Sequence, residues 1–353
     1  MSLQTFNLAS LIVYANILYA FPLSPDLKWI AYHYHVLPLR RLIVLTDPNA
    51  LTTPKPILDR WKDRMDITLW HEKDIFPNGI PPPPNRKKNV TKLGQHRARQ
   101  RAFISECQQT LLREKRTWVV LTDTDEYTEI NSILREPDML SWNSDNIALP
   151  SQKEPGSVMK LLKQKNMRDL KTHKYVHEMP CITMARRTFS TKTSNDSTPG
   201  DILGFKGSQF QTFYWRYYDS LFKPGKAMVD LSKIRSKDIP TRPSVHRPIT
   251  NETICAGKLS VKEIHSVFVV NHYPGTLKQM LFRALDARGD ASNATEYRIQ
   301  RFNEFKKFGK VLSTATIMEW LPGFFESVGE EEATRLLKDV GLPEQAATYI
   351  SSP

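Results

Sequence analysis

The sequence predicts an α/β fold with a mainly parallel central sheet flanked by helices. Short apolar runs of strand length recur along the first third of the chain, separated by helical patterns. Strands alternating with short helices are the signature of a doubly wound sheet. One run, Trp118–Leu121, is apolar without interruption and leads straight into Asp123, Asp125 and Glu126. Such a run, bounded by polar residues, reads as a strand buried on both faces. The 353 residues are 40% hydrophobic, enough for a sizeable core in one large domain or two modest ones and too apolar for global disorder.

The elements follow in order. Ser10–Tyr14 reads as the first strand. The surrounding apolar stretch Leu8–Leu23 contains Asn16 and Pro22 and has no preceding Lys or Arg, so it fits neither a spanning helix nor a signal peptide. Ser24-Pro25-Asp26 offers a helix start, after which Leu27, Ile30, Ala31 and Tyr34 recur at helical spacing; Leu37-Pro38 ends that helix. Arg41–Thr46 is the second strand, Pro56–Arg64 a helix with Leu58, Trp61 and Met65 inward, and Asp66–Trp70 the third strand. A Pro-rich, then basic loop spans Phe76–Asn89. A long helix follows from Leu93 to Arg113, with Phe103, Cys107 and Leu111 as its apolar stripe and His96, Arg97, Arg99 and Arg101 in its first half.

Beyond the acidic cluster, Ser141–Asn166 reads as loop with one helix, and Cys181–Met184 as a strand followed by Arg186-Arg187. Phe189–Gly207 is small and polar, a loop suited to cover a site. The aromatics of Gln209–Phe222 read as core in preference to a sugar-stacking platform. Ile264–Asn271 is a further strand, running into His272. From Ala291 the chain reads as helical and charged, which divides it into a catalytic-type domain over 1–290 and a helical extension over 291–353. Three cysteines without zinc-type spacing leave at least one thiol unpaired in the monomer; Cys181–Cys255 is an open pairing.

Two carboxylates at i and i+2 past a buried strand can converge on one hard cation. Mg²⁺ and Mn²⁺ take one or two carboxylates plus substrate phosphates, so Asp123 and Asp125 point to an ion that holds a diphosphate. The competing reading is a solvated turn. His272 has the same placement after an apolar strand. A neutral imidazole can complete a metal site, and a hydrogen-bonded core histidine is the alternative. The net charge of +13 points to anionic partners without choosing among them.

In order and spacing, several blocks resemble glycosyltransferase family 92, the DUF23-type, GT-A-like transferases, and within it the algal and diatom members. These blocks are SLIVYANIL, LKWIAYHYHVLPLRRLIVLTD, HRARQRAFISECQQTLLREKRTWVVLTDTDEY, CITMARRTF, FQTFYWRYYDSLFKPGKAMVDLS, VHRPI, VFVVNHYPGT and the Trp320–Leu342 tail. The resemblance covers nearly the whole chain. It implies a GT-A-like nucleotide-diphospho-sugar transferase fold, with Asp123 and Asp125 holding Mn²⁺ or Mg²⁺ and the nucleotide sugar, and His272 as a C-terminal metal ligand. It places Asp47 against the nucleoside. Arg97 and Gln100 lie on the helix feeding the acidic strand, and one of them is expected to reach the nucleotide or diphosphate; Lys226, in a matching block, is counted with these nucleotide-binding residues, and His246 falls in another without an assigned role. The nearest known activity is β-galactosyl transfer from UDP-galactose to a glycan or glycoconjugate hydroxyl. Inversion requires a carboxylate base, for which Asp201 and Asp219 are the candidates. The resemblance also implies the Golgi or secretory lumen, with membrane association only through an N-terminal anchor preceding the first strand. Four sequons, at Asn89, Asn195, Asn251 and Asn293, lend this slight support.

Other classes fit less well. A haloacid-dehalogenase-type phosphatase also places Asp-x-Asp after a strand, but wants Thr or Val where Tyr127 stands and puts that strand first in its domain. A nucleic-acid-binding protein would suit the charge, yet no recognised module is visible and the aromatics are not interleaved with basic residues. An inactive transferase acting as a partner protein is at odds with the intact acidic motif.

Overall fold

The computed structural model describes residues 10–13, 25–46, 53–79, 92–136, 147–190, 210, 213–219, 224–241, 243–249, 255, 261–274, 277, 296, 299–300, 302–304, 307, 311–312 and 317–338. Along the first half run β1 (Ser10–Val13), α1 (Pro25–Val36), β2 (Arg41–Leu45), α2 (Lys55–Trp61), β3 (Asp66–Trp70), α3 (Glu72–Ile75), α4 (Lys92–Arg113), β4 (Trp118–Leu121) and β5 (Glu126–Ile130). The second half contributes α5 (Ser157–Leu162), β6 (Cys181–Ser190), β7 (Tyr217–Asp219), β8 (Lys226–Asp230), β9 (Phe268–His272), β10 (Val311–Leu312), α6 (Trp320–Val328) and α7 (Glu330–Leu337).

The ten strands form one curled, mixed sheet. Its main path runs β10-β7-β6-β8-β4-β1-β2-β3, and β9 joins β5 to β6. The predicted parallel half is present: β3, β2, β1 and β4 are all parallel neighbours. The other half corrects the expectation of a mainly parallel sheet. β8 lies antiparallel to β4, β6 antiparallel to β8 and β7, and β5 antiparallel to β9. An apolar run reports burial, not direction. Only parallel neighbours need a long crossover, usually a helix, and the stretch feeding β8 carried no such pattern; β9 is antiparallel to β5 but parallel to β6.

β6 links the two halves. Its first residues, Cys181–Met184, pair with β8, and from Ala185 onward it pairs with β9 and β7. The sequence reading stopped this strand at Met184, because Arg186 and Arg187 break its apolar run. In a strand, neighbouring side chains point to opposite faces, so the two arginines serve different surfaces. β5 was likewise missed, since Glu126-Tyr127-Thr128-Glu129 carries a charge on each face.

Helix α1 is buried almost all round, whereas its sequence suggested a single apolar stripe. The reason is β5, whose outer edge has no strand partner among the described residues. The Trp29 indole donates to the Glu126 carbonyl at 2.9 Å, and the Tyr32 hydroxyl to the Thr128 carbonyl at 2.7 Å. The Thr128 amide donates to His33 Nε2 at 3.4 Å, while His33 Nδ1 donates to the Trp29 carbonyl at 2.8 Å. Burial lowers the His33 pKa to about 3, which keeps the ring neutral. Three side chains thus satisfy an edge that would otherwise attract another strand.

On its other side α1 meets α6 and α7, and Tyr32, Tyr34, Trp61, Trp320 and Phe324 share an aromatic cluster there. Gly323 lets the Lys153 backbone lie against α6: a Cβ at that position would lie 1.9 Å from the Lys153 carbonyl oxygen. Phe210, Phe213 and Trp215 are core residues, as read from the sequence. Helix α4 covers the opposite face of the sheet with Phe103, Ile104, Cys107 and Leu111.

Cys181, at the start of β6, forms a disulfide with Cys255, 74 positions away, and Cys107 is a buried thiol. Closing so long a loop typically contributes about 2–4 kcal/mol. The double variant Cys181→Ser/Cys255→Ser is therefore expected to lower the urea-unfolding free energy by about that amount. Reductant should shift the wild-type midpoint to match and leave the variant where it is. A wild-type midpoint indifferent to reductant would contradict the bond.

Candidate active site

The sheet order makes the carboxyl ends of β1 and β4 a topological switch point. From β1 the chain steps to β2 on one side, while β4 flanks it on the other. Ligands of open α/β sheets sit outside such a switch point. β4 is central and fully buried, as predicted, and it delivers Asp123-Thr124-Asp125-Glu126 into that position. These four residues form a tight turn. The Glu126 amide donates to the Asp123 carbonyl at 3.0 Å, and the Asp123 amide donates to Glu126 Oε2 at 3.0 Å.

Register then joins residues far apart in sequence. Glu126 and His272 are direct partners across β5 and β9, and the Tyr273 amide donates to the Asp125 carbonyl at 2.8 Å. His272 Nε2 consequently lies 3.3 Å from Asp125 Oδ2. Arg186 on β6 stands opposite Val270, on the His272 face. Its Nη2 donates to His272 Nδ1 at 3.0 Å, and its Nε lies 3.0 Å from Glu126 Oε1.

Lys226, the first residue of β8, closes the cluster. Its fully buried ammonium sits 2.8 Å from Asp123 Oδ2 and 2.8 Å from Glu126 Oε2. Burial opposes its charge, but Asp123 and Glu126 outweigh burial and raise its pKa. Asp123 responds in the opposite sense: burial pushes its pKa up, yet the Lys226 charge brings it below the usual aspartate value. Its carboxylate is open to solvent on the other side, with 44% of the side chain exposed. Three carboxylates therefore face two cations, leaving one negative charge for a ligand to meet.

His246 borders this group. Its Nδ1 donates to the Gly225 carbonyl at 2.7 Å, and burial, reinforced by the Lys226 charge, lowers its pKa. The neutral ring keeps Nε2 as an acceptor. On the far face of the β5–β9 ladder, Glu129 accepts from Gln152 and Asn271, and burial raises its pKa. That layer is a hydrogen-bonded floor beneath the site.

The hydrogen bonds at His272 fix its tautomer. A guanidinium can only donate, so Nδ1 is the acceptor and Nε2 carries the proton facing Asp125. The same two donor atoms fit one cation: bonds of about 2.0–2.2 Å to nitrogen and oxygen span such a separation. Among the described residues no third His, Cys, Asp or Glu joins them as a ligand set. The remaining coordination would come from the substrate's diphosphate and water, as magnesium-type sites use it.

The expected residues divide as follows. Asp125 and His272 come together. Asp123, expected with Asp125 at the ion and the nucleotide sugar, gives one oxygen to Lys226 and keeps its outer side open to solvent. Lys226, expected among the nucleotide-binding residues, is buried between Asp123 and Glu126. Arg97 is exposed and Gln100 half-buried, and within the described residues neither joins the hydrogen bonds around Asp125. The α4 side chain that turns inward is Arg99, 3.4 Å from Glu72. Asp219 lies on β7 opposite Thr188, and its side chain is outside the described ones. Asp47 and Asp201 lie outside the described residues. Arg186 was missed as a site residue; the available signal was period-2 alternation carried on past Met184.

No family model matches this chain, and no curated protein matches it. Among solved structures, the crystal structure of S. aureus TarS aligns with 92% of this chain and 50% of its own, at 11% identity and a TM-score of 0.26. The chain spans about half the length of that neighbour, and a likeness this faint carries no argument about fold or function.

Proposed function

We propose that this chain is a metal-dependent glycosyltransferase of the family 92 type with a GT-A-like catalytic domain. It moves a hexose, galactose in the first instance, from a UDP-sugar to a glycan or glycoconjugate hydroxyl with inversion. The observation that carries the reading is the Asp125–His272 pair, 3.3 Å apart at the carboxyl end of the central strand and at the switch point of the sheet. A bound Mn²⁺ or Mg²⁺ would act there as a Lewis acid toward the departing diphosphate. Asp125 and His272 would hold it. Lys226 keeps Asp123 ionised and pins Asp123 and Glu126 in place, so the turn presents Asp125 in one geometry. Asp123, exposed on its outer side, is available to the ribose or to a water on the ion. The base for the acceptor is Asp201 or Asp219.

The phosphatase alternative needs its acidic strand to open the domain. Here β4 comes fourth, between parallel β1 and antiparallel β8. The disulfide fits a protein that matures in an oxidising compartment, in line with a secretory-pathway lumen. No helix among the described residues is long and apolar enough to cross a membrane.

The test is UDP release from a panel of UDP-sugars with Mn²⁺, Mg²⁺ or chelator. UDP-galactose with Mn²⁺ is expected to give the fastest turnover, with chelator abolishing it. Absence of both turnover and UDP binding across the panel would refute the reading.

A further inference from the structure

Arg186 is the one cation of the cluster that is not locked away. Lys226 is fully buried between two carboxylates, whereas the Arg186 side chain is 20% exposed and touches His272 directly. Its Nε stays beside Glu126 Oε1, and its Nη2 is spent on His272 Nδ1. That second bond conflicts with metal ligation. A neutral imidazole has one N–H and one lone pair. For Nε2 to offer its lone pair to a cation, the ring proton must sit on Nδ1, where it would face the guanidinium N–H. A cation at Nε2 and the Arg186–His272 bond therefore exclude one another.

We propose that Arg186 is the diphosphate-gripping residue of this site, held in waiting by His272 and released when a divalent cation binds. This rests on the donor reading above and adds the order of events. With a cation held by Asp125 and His272 Nε2, the ring proton would sit on Nδ1, relocated through solvent with no net change, and Arg186 Nη2 would lose its acceptor. With Glu126 still beside Nε, the terminal nitrogens would be free to bind a diphosphate. A planar guanidinium suits phosphate oxygens through two parallel hydrogen bonds. Cation and nucleotide thus bind with positive cooperativity, and Arg186 is the coupling element.

The test is calorimetric titration of the full chain with MnCl₂ alone, UDP alone, and UDP at saturating MnCl₂, for wild type, Arg186→Gln and Arg186→Lys. Arg186→Gln removes both a competing donor and a nearby positive charge. Mn²⁺ alone is expected to bind it about tenfold more tightly than wild type, and UDP in the presence of Mn²⁺ about tenfold more weakly, the scale of one unit charge at a partly buried site. Arg186→Lys keeps the charge without the planar fork. It should retain near-wild-type Mn²⁺ affinity with intermediate UDP affinity, and it carries the test if the Gln variant does not fold. Equal Mn²⁺ affinities in wild type and Arg186→Gln, or unchanged UDP affinity in both variants, would overturn this proposal while leaving the donor reading in place. Failure of Mn²⁺ and UDP to bind any of the three proteins would overturn both.

Discussion

Asp125→Asn is expected to reduce UDP-sugar turnover by about 10³-fold or more, with a melting temperature close to wild type. The size follows from what the carboxylate does. It lies against His272, while the cluster's two cations pair elsewhere: Lys226 bridges Asp123 and Glu126, and Arg186 sits at the other Glu126 oxygen. Electrostatic groups aimed at developing charge are commonly worth several kcal/mol in an active site. Asparagine keeps the shape, and the Asp125 carbonyl still accepts the Tyr273 amide, so the turn and the β5–β9 ladder survive. His272→Ala should have a smaller effect on the maximal rate and raise the Mn²⁺ concentration needed for half-maximal activity, because the neutral ligand adds affinity without charge. The measurement is initial rate against Mn²⁺ for the two variants, with thermal melts alongside. An Asp125→Asn enzyme that keeps a tenth of its activity at saturating Mn²⁺ would remove Asp125 from the metal site.

The parallel half of this fold was legible because it obeys simple periodicities. β1 to β4 are apolar runs separated by helices with capping and stop signals, and their positions in the structure match to within a residue or two. The antiparallel half was not, since direction and register leave no local mark. His272 illustrates the difference. Its placement after an apolar strand was visible, but its meeting with Asp125 depends on Glu126 pairing with His272 across β5 and β9, and β5 itself was hidden by its charges. Lys226 is the reverse case. A lysine opening an apolar run looks like the solvated end of a strand, and only the antiparallel pairing of β8 with β4 brings it beneath the acidic turn. The Cys181–Cys255 bond is likewise set by tertiary placement, with nothing in the spacing to select it.

The second large effect is expected at Lys226. Lys226→Met matches the stem in length and removes the ammonium, so the buried Glu126 Oε2 is left with the Asp123 amide and no cation, and Asp123 turns toward solvent. Breaking a buried pair by removing one member usually costs about 3–5 kcal/mol. Here the lower end, about 3 kcal/mol, is expected, because Arg186 still sits at the other Glu126 oxygen and Asp123 is already half-exposed. The sign with pH follows from Asp123. Its folded-state pKa is lowered, so the pairing stabilises the protein above the ordinary aspartate pKa, and that contribution is lost as pH falls through the lowered value. The gap between wild type and Lys226→Met in urea unfolding should therefore be widest near neutral pH and narrow in acid. Adding Glu126→Gln removes the charge left uncompensated, so the double variant should be more stable than Lys226→Met alone, a coupling that only neighbouring groups show. Turnover should fall in the single variant even where it is folded, since the turn that presents Asp125 has lost its anchor. A stability gap that does not change with pH, together with additive effects of the two substitutions, would show that Lys226 does not hold this cluster together.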